Sequence, residues 1–401
     1  MRPLKPTKAL EQKKNFLKIG STTLTTPKAN GDDGLLSAGL PSSRRGPRHV
    51  PRGLTDTIAP RILGELIAIR VLELICQRRV ARSVDIAAHC FPERTYSASQ
   101  QATRRCLSRL VGKGYIQKYV TEKKHTVYAV TVAGAKFLEE HAIGPAGAEP
   151  PRASTQRVSS MTNPEHLNWM NFITVACPHR GLVAFTEFEL MRLLDIGTKK
   201  KPGLASYKKK WFRPDALALE EQSLIWFEID ASKKGNERAK KFVELTHLLG
   251  TQISGIGKLP GVSSDKARLE VIVTHTTKRA YFNRIRNQLD KLVADTRRVI
   301  LTEDSGNRRY VDAGAGIYEV WKARYLEDTS HQSEICVGYV ILQMLPTKLP
   351  NYKHVAADDS YKHWFDTFNL PYRRPSRLGP WPTSTTETPF LSMRMDQLLY
   401  N

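Results

Sequence analysis

Ser97–Thr131 reads SASQQATRRCLSRLVGKGYIQKYVTEKKHTVYAVT, and its two halves obey different periodicities. The first half has helical spacing. It predicts a helix that begins at Ser97 or Ser99, turns Leu107, Leu110 and Val111 to a core and stops at Gly114. On that helix Gln100, Gln101, Arg104, Arg105 and Arg109 project outward. The second half splits into two strand-like segments, YIQKYVT and HTVYAVT, joined by the charged turn Glu122-Lys123-Lys124. Upstream, IAPRILGELIAIRVLELICQ (58–77) places Ile62, Leu66, Ile69, Leu72 and Ile75 at helical spacing. SVDIAAHCF (83–91) predicts a short second helix with Ser83 as its N-cap. A last helix runs from Ala133 to His141.

Helix, helix, helix, hairpin, helix is the order of the winged helix-turn-helix, and LVGKGYI (110–116) resembles the lead into the wing in that family. The resemblance implies DNA binding. The third helix enters a major groove, and Lys123 and Lys124 at the wing tip meet phosphates or the minor groove. The alternative is that these charges solvate a helix and the domain pairs with another protein.

Charge favours DNA. Against 39 Asp and Glu stand 62 Lys and Arg, a formal net charge of +23, which suits a polyanion through counterion release. A membrane surface or a ribosome would also accept it. Among 401 residues, 40% hydrophobic, more than one core is expected. Cys76, Cys90, Cys106, Cys177 and Cys336 lack metal-site or disulfide spacing, so a reducing compartment with buried thiols is expected. MRPLKPTKALEQKKNFLK lacks the apolar stretch of a signal peptide, and no run of about 18 apolar residues offers a membrane span. These point to a cytoplasmic protein.

The expected organisation is a disordered basic arm (1–55), a DNA-binding domain (56–142), a linker at IGPAGAEPPRASTQRVSS (143–160), a mixed domain (161–327) and a C-terminal extension (328–401). The extension holds a strand-like CVGYVILQML and then NLPYRRPSRLGPWP.

Within the mixed domain, DALALE and LIWFEID read as a strand hairpin turning at Glu221-Gln222-Ser223. Period-two geometry puts Glu228 and Asp230 on one face, and Asp215 starts the neighbouring strand. Three carboxylates at a sheet edge suit Mg²⁺ or Mn²⁺. Such an ion polarises a phosphate and acidifies attacking water. A helix over Asn236–Leu249 brings Lys240 and Lys241 into range of the charge that develops in phosphoryl transfer. The competing reading makes Glu228 a surface partner of Lys233 or Lys234. PEHLNWMNFITVAC predicts a helix, GLVAFTEFEL a strand carrying Glu187, RLEVIVTH (268–275) a strand, and TKRAYFNRIRNQLDKLVAD a long basic helix. KKKPGLASYKKKWFR (199–213) interleaves Tyr207 and Trp211 with Lys208, Lys209, Lys210 and Arg213, as a DNA-guiding loop does. His166, His275, Tyr207 and Tyr281 are weaker candidates for site roles.

This order, with Pro214-Asp215 before Glu228-Ile229-Asp230, resembles the PD-(D/E)XK restriction-endonuclease-like fold, an α+β or α/β mixed sheet. The winged helix followed by His166-Leu167…Asn171, Arg213-Pro214-Asp215 and Phe227-Glu228-Ile229-Asp230 is similar to the replication-relaxation family and to MobC-type plasmid mobilisation relaxases. The resemblance spans residues 60–275. It implies a metal-dependent endonuclease of a mobile element that nicks DNA, working with other mobilisation or replication proteins. It makes Asp215, Glu228 and Asp230 metal ligands and Lys241, or Lys240, the charge-stabilising lysine, with Glu187 a further acid. Asp230 occupies the position where the simplest form of the motif has its lysine. Relocation of that lysine, catalysis without it, and loss of the chemistry are all open. Two other functions compete: a non-catalytic DNA-binding regulator on a degenerate nuclease fold, and an RNA-binding factor.

Overall fold

Ile225, Phe227 and Ile229 alternate with Leu224 and Trp226, and all five are buried, so this strand has apolar packing on both faces. It is a central strand of an eight-stranded mixed sheet among the described residues. The computed structural model describes residues 60–92, 94, 96–141, 153, 164–230, 236–262, 264–301, 307–326, 329–345, 349 and 374–382. The expected arm at 1–55 and, apart from residue 153, the expected linker at 143–160 lie outside the described residues. The described residues belong to one compact unit, 52–401.

In chain order come α1 (Pro60–Arg78), β1 (Ala81–Arg82), α2 (Ser83–Cys90), α3 (Tyr96–Gly112), β2 (Ile116–Val120), β3 (Thr126–Val130) and α4 (Val132–His141). Then follow α5 (Pro164–Ala176), β4 (Val183–Thr186), α6 (Glu187–Leu194), the hairpin β5 (Ala205–Tyr207) and β6 (Lys210–Phe212), β7 (Ala216–Glu220), β8 (Ser223–Asp230) and α7 (Asn236–Thr246). The rest is β9 (Gln252–Ser254), β10 (Lys266–Thr276), α8 (Arg279–Thr296), β11 (Arg309–Gly314), β12 (Ile317–Leu326) and β13 (Thr329–Met344). The protein is thus mixed α+β.

The large sheet runs β11-β12-β13-β10-β8-β7-β4, with β9 against β10. Its centre, β8-β10-β13, is parallel and its flanks are antiparallel. One face packs on α6, α7 and α8 through Leu190, Phe242, Leu245, Ile285 and Leu289. The other carries α5, which contributes Trp169, Met170, Phe172 and Ile173. Val80, Ala87, Ala88, Val127 and Ala129 of the N-terminal helices and hairpin join that second core. The N-terminal elements keep a further core of their own around Leu72, Ile75, Phe91 and Leu107.

Polar groups cross the same seam. Arg78, 4% exposed, donates to Thr174 Oγ1 at 2.6 Å and pairs with Glu189 Oε2 at 3.3 Å. Asn171 donates to the Val80 carbonyl at 2.6 Å, and a ring nitrogen of His179 stands 3.2 Å from the Ala88 carbonyl.

Several expectations are corrected. Ser83 is the first residue of α2, not its cap. Arg82 caps it, with Asp85 Oδ2 accepting the Arg82 backbone N–H at 3.3 Å. The helix expected from Ser97 or Ser99 starts at Tyr96. Val111 is 42% exposed, because the buried stripe runs through Thr103, Cys106, Leu107 and Leu110 and leaves it to one side. The strand expected over GLVAFTEFEL ends at Thr186. There the Thr186 hydroxyl and Glu189 form a capping box that opens α6, a local signal stronger than the alternation. The helix expected to Leu249 ends at Thr246. Finally, β13 is no part of a wrapping extension. It lies between β12 and β10 inside the sheet, so the boundary expected at residue 327 cuts through the core.

Ile341 is fully buried on β13. Ile341→Ala is expected to lower unfolding free energy by about 2–5 kcal/mol, read from a urea melt. A loss under about 1 kcal/mol would deny β13 its place in the sheet.

Candidate functional site

The ends of β4, β7 and β8 bring the acidic residues together. Thr186 pairs with Ala216 and Ala216 with Phe227, so Glu187, Asp215 and Glu228 follow one another across three adjacent strand ends. Pro214 is buried and leads Asp215 into position, where the Glu187 N–H donates to the Asp215 carbonyl at 2.9 Å. Asp215 Oδ2 accepts the Ile229 N–H at 2.7 Å, extending the ladder with a side chain. Its Oδ1 stands 3.2 Å from His166 Nε2 on α5. Glu228 Oε1 accepts the Trp226 indole N–H at 2.8 Å. Glu187 pairs with Arg213 Nε at 2.7 Å. Burial holds the Glu187 carboxyl above the usual range, the Arg213 guanidinium opposes this, and Asp215 adds to it.

The fit to Mg²⁺ or Mn²⁺ is poor as these groups stand. Both Asp215 oxygens, one of Glu228 and one of Glu187 already face hydrogen-bonding or cationic partners. Among the described residues no three His, Cys, Asp or Glu side chains form a group able to hold a metal ion. The side chain of Asp230 lies outside the described residues. The lysines expected nearby turn elsewhere. Lys241 Nζ is 5.6 Å from the Phe212 ring centroid, and Lys240 lines an open groove between α7 and α8. Tyr281 and His275 are buried, the latter stacked on Phe227 with centroids 5.7 Å apart.

On α3, Gln101, Arg104 and Arg105 are exposed, as the helical spacing requires. Gln100 is corrected: it is 6% exposed, because it stands three and seven residues before Thr103 and Leu107 and so joins the buried stripe. Arg109 is exposed but tied back, donating to the Gly64 carbonyl at 2.5 Å. Lys123 and Lys124 are exposed at the β2–β3 turn, with Lys124 left-handed at φ 64°. Lys208, Lys209 and Lys210 are exposed on the β5–β6 hairpin, and Lys210 pairs with Glu244.

One link had no signal in the spacing. Glu165 Oε1 accepts the Thr121 hydroxyl at 2.7 Å, and its Oε2 lies 3.7 Å from His125 Nε2. Neighbouring residues of α5 therefore hold the β2–β3 turn (Glu165) and the acidic strand ends (His166).

None of the five cysteines forms a disulfide and all are buried or half-buried, and burial pushes the Cys90 thiol up to about 12. Among the described residues no helix is long and apolar enough to cross a membrane.

Residues 72–245, from α1 into α7, match the family model described as replication-relaxation. That stretch holds α3, the β2–β3 turn and the acidic strand ends. No curated protein and no solved structure matches the chain.

Burial lowers His179 to about 4, against the raising effect of its hydrogen bond to Ala88. The unfolded imidazole titrates near about 6.5, so below that pH the unfolded chain binds more protons than the folded one. The stability from keeping His179 neutral is complete above the unfolded value and is lost as pH falls towards 4. Burial also lowers His89 and His125. Urea melts near neutrality and at about pH 5 should show the drop, and His179→Gln should make it smaller. An identical drop in the variant would remove His179 from the account.

Proposed function

We propose that this is a winged-helix DNA-binding protein acting in replication or mobilisation of DNA, together with other proteins of those processes. The observation that carries the reading is the outer face of α3. YSASQQATRRCLSRLVG contains no acidic residue, and it exposes Gln101, Arg104, Arg105 and Ser108 side by side. Lys123 and Lys124 supply the wing-tip cations. Such a helix presents bidentate donors to base edges while its neighbours meet phosphates. The net charge of +23 and the match to the replication-relaxation model support the same partner.

Binding without cleavage is the reading that the acidic strand ends favour. Asp215 contacts His166 across the seam and Glu187 pairs with Arg213, so these carboxylates serve the seam and the sheet end. On this reading the restriction-endonuclease-like arrangement is a scaffold that carries the winged helix.

Gel shifts on duplex DNA flanking the protein's own gene test it. Arg104→Ala/Arg105→Ala should weaken binding by roughly tenfold or more and flatten the salt dependence by about one to two counterions. Undiminished affinity would sink the assignment of α3. In parallel, supercoiled plasmid should stay intact with Mg²⁺ or Mn²⁺. Nicking that vanishes in Asp215→Ala/Glu228→Ala would replace a binding protein with a metal-dependent endonuclease held by Asp215, Glu228 and Asp230.

A further inference from the structure

The β5–β6 hairpin is built against the grain of its own backbone. Its two turn residues are Lys208 at φ 46° and Lys209 at φ 64°, both left-handed. A two-residue hairpin turn of this kind favours Asn-Gly, because a β-carbon crowds the neighbouring carbonyl at positive φ. Strain of this sort persists where surrounding structure enforces it, and it gathers at functional positions. What the two lysines gain is direction, since both side chains are exposed at the tip of a short ribbon.

Around that tip, cations and rings alternate. Tyr207 stacks on His247 with centroids 4.8 Å apart and planes 8° from parallel, and Lys208 Nζ lies 5.3 Å from the Tyr207 ring. Trp211 follows on the ribbon and is 42% exposed, whereas Trp169 and Trp226 are buried in the cores. Phe212, one residue on, is buried and anchors the ribbon, so Trp211 is held out by a rigid neighbour. Beneath the stack, Arg308 is half-buried and donates to the Thr246 carbonyl at 3.4 Å. Burial, together with Arg308 and Lys208, holds His247 below its ordinary value, which keeps the ring neutral and suited to stacking. Glu244 is the acid in this group, and it is engaged by Lys210.

We propose that the β5–β6 hairpin is a platform for single-stranded DNA, with Trp211 stacking a base and Lys208, Lys209 and Arg308 receiving the flanking phosphates. The inference rests on the DNA-binding reading and deepens it: α3 takes duplex, and the hairpin takes a strand that has left the duplex. An exposed ring beside lysines is the arrangement that recognises unpaired bases irrespective of sequence, whereas a duplex hides its base faces. A purely duplex-directed ribbon would gain from the lysines but not from an exposed indole.

Fluorescence anisotropy with labelled oligothymidylate, and with a duplex of the same length, tests the assignment on the full chain. Lys208→Asn/Lys209→Gly/Trp211→Ala is expected to weaken oligothymidylate binding by roughly tenfold or more while leaving duplex affinity within about twofold. The Asn-Gly turn relieves the strain, so this variant should melt no lower than wild type, and loss of binding is then not loss of fold. Trp211→Phe should retain most of the single-strand affinity. Absence of oligothymidylate binding in the wild type, or no change in the variant, overturns the proposal. Equal losses on both probes also overturn it, because the hairpin would then be a duplex-backbone contact. Arg104→Ala/Arg105→Ala on the duplex judges the DNA-binding reading separately.

Discussion

Arg78 is a guanidinium taken out of water at the junction of everything else. A buried cation is costly unless it is paired, and here Nη1 donates to Thr174 and faces Glu189, from two elements of the sheet-bearing part, while Nε is left without a hydrogen bond among the described residues. Glu189 is already committed to capping α6 through the Thr186 N–H at 2.7 Å. One carboxylate therefore opens the helix that follows β4 and receives the last residue of α1. Truncating Arg78 would leave Thr174 and Glu189 looking into a seam closed to water, which is why the pair matters more than its own net energy. The orientation of α3 relative to the strand ends depends on this arrangement.

From that junction the two polar regions are held by adjacent residues of one helix. Glu165 grips Thr121 at the base of the β2–β3 turn, and His166 faces Asp215. Helix α5 is stiff and packed along most of its length, so a shift of the turn and a shift of the strand ends are mechanically linked. The acidic residues belong to this framework. Asp215 faces His166 and accepts the Ile229 N–H, and Glu187 pairs with Arg213, which gives them a role in shape.

Much of this was legible from residue patterns. The helix-to-hairpin switch in Ser97–Thr131, the β7–β8 alternation and the strand before α8 all follow from periodicity, because each has one dominant local signal. Where two signals compete, periodicity alone misleads. TEFEL alternates like a strand, yet Thr186 and Glu189 form a capping box, and the cap prevails. A core face drawn through Leu107, Leu110 and Val111 leaves Gln100 outside, whereas the buried stripe through Thr103 and Leu107 takes it in. The place of β13 was beyond local reading. Its apolar run is visible, but nothing within it states that its neighbours are β12 and β10. The same holds for the acidic residues: their adjacency follows from hairpin register, whereas their pairing with His166 and Arg213 needs elements far apart in the chain.

The position of β13 also bears on how the chain is made. The N-terminal helices and hairpin draw on contacts close in sequence and can organise early, as a ribosome releases them. The sheet cannot. Strand β10 emerges with one long edge unpaired, and it waits through α8, β11 and β12 before its parallel partner is synthesised. An unpaired, two-sided apolar edge is a template for the wrong strand. During that interval the nascent protein has its proposed duplex-reading surface in place while its largest core is open. Synthesis speed and chaperone supply over residues 277–344 should therefore govern yield more than the stability of the finished fold does.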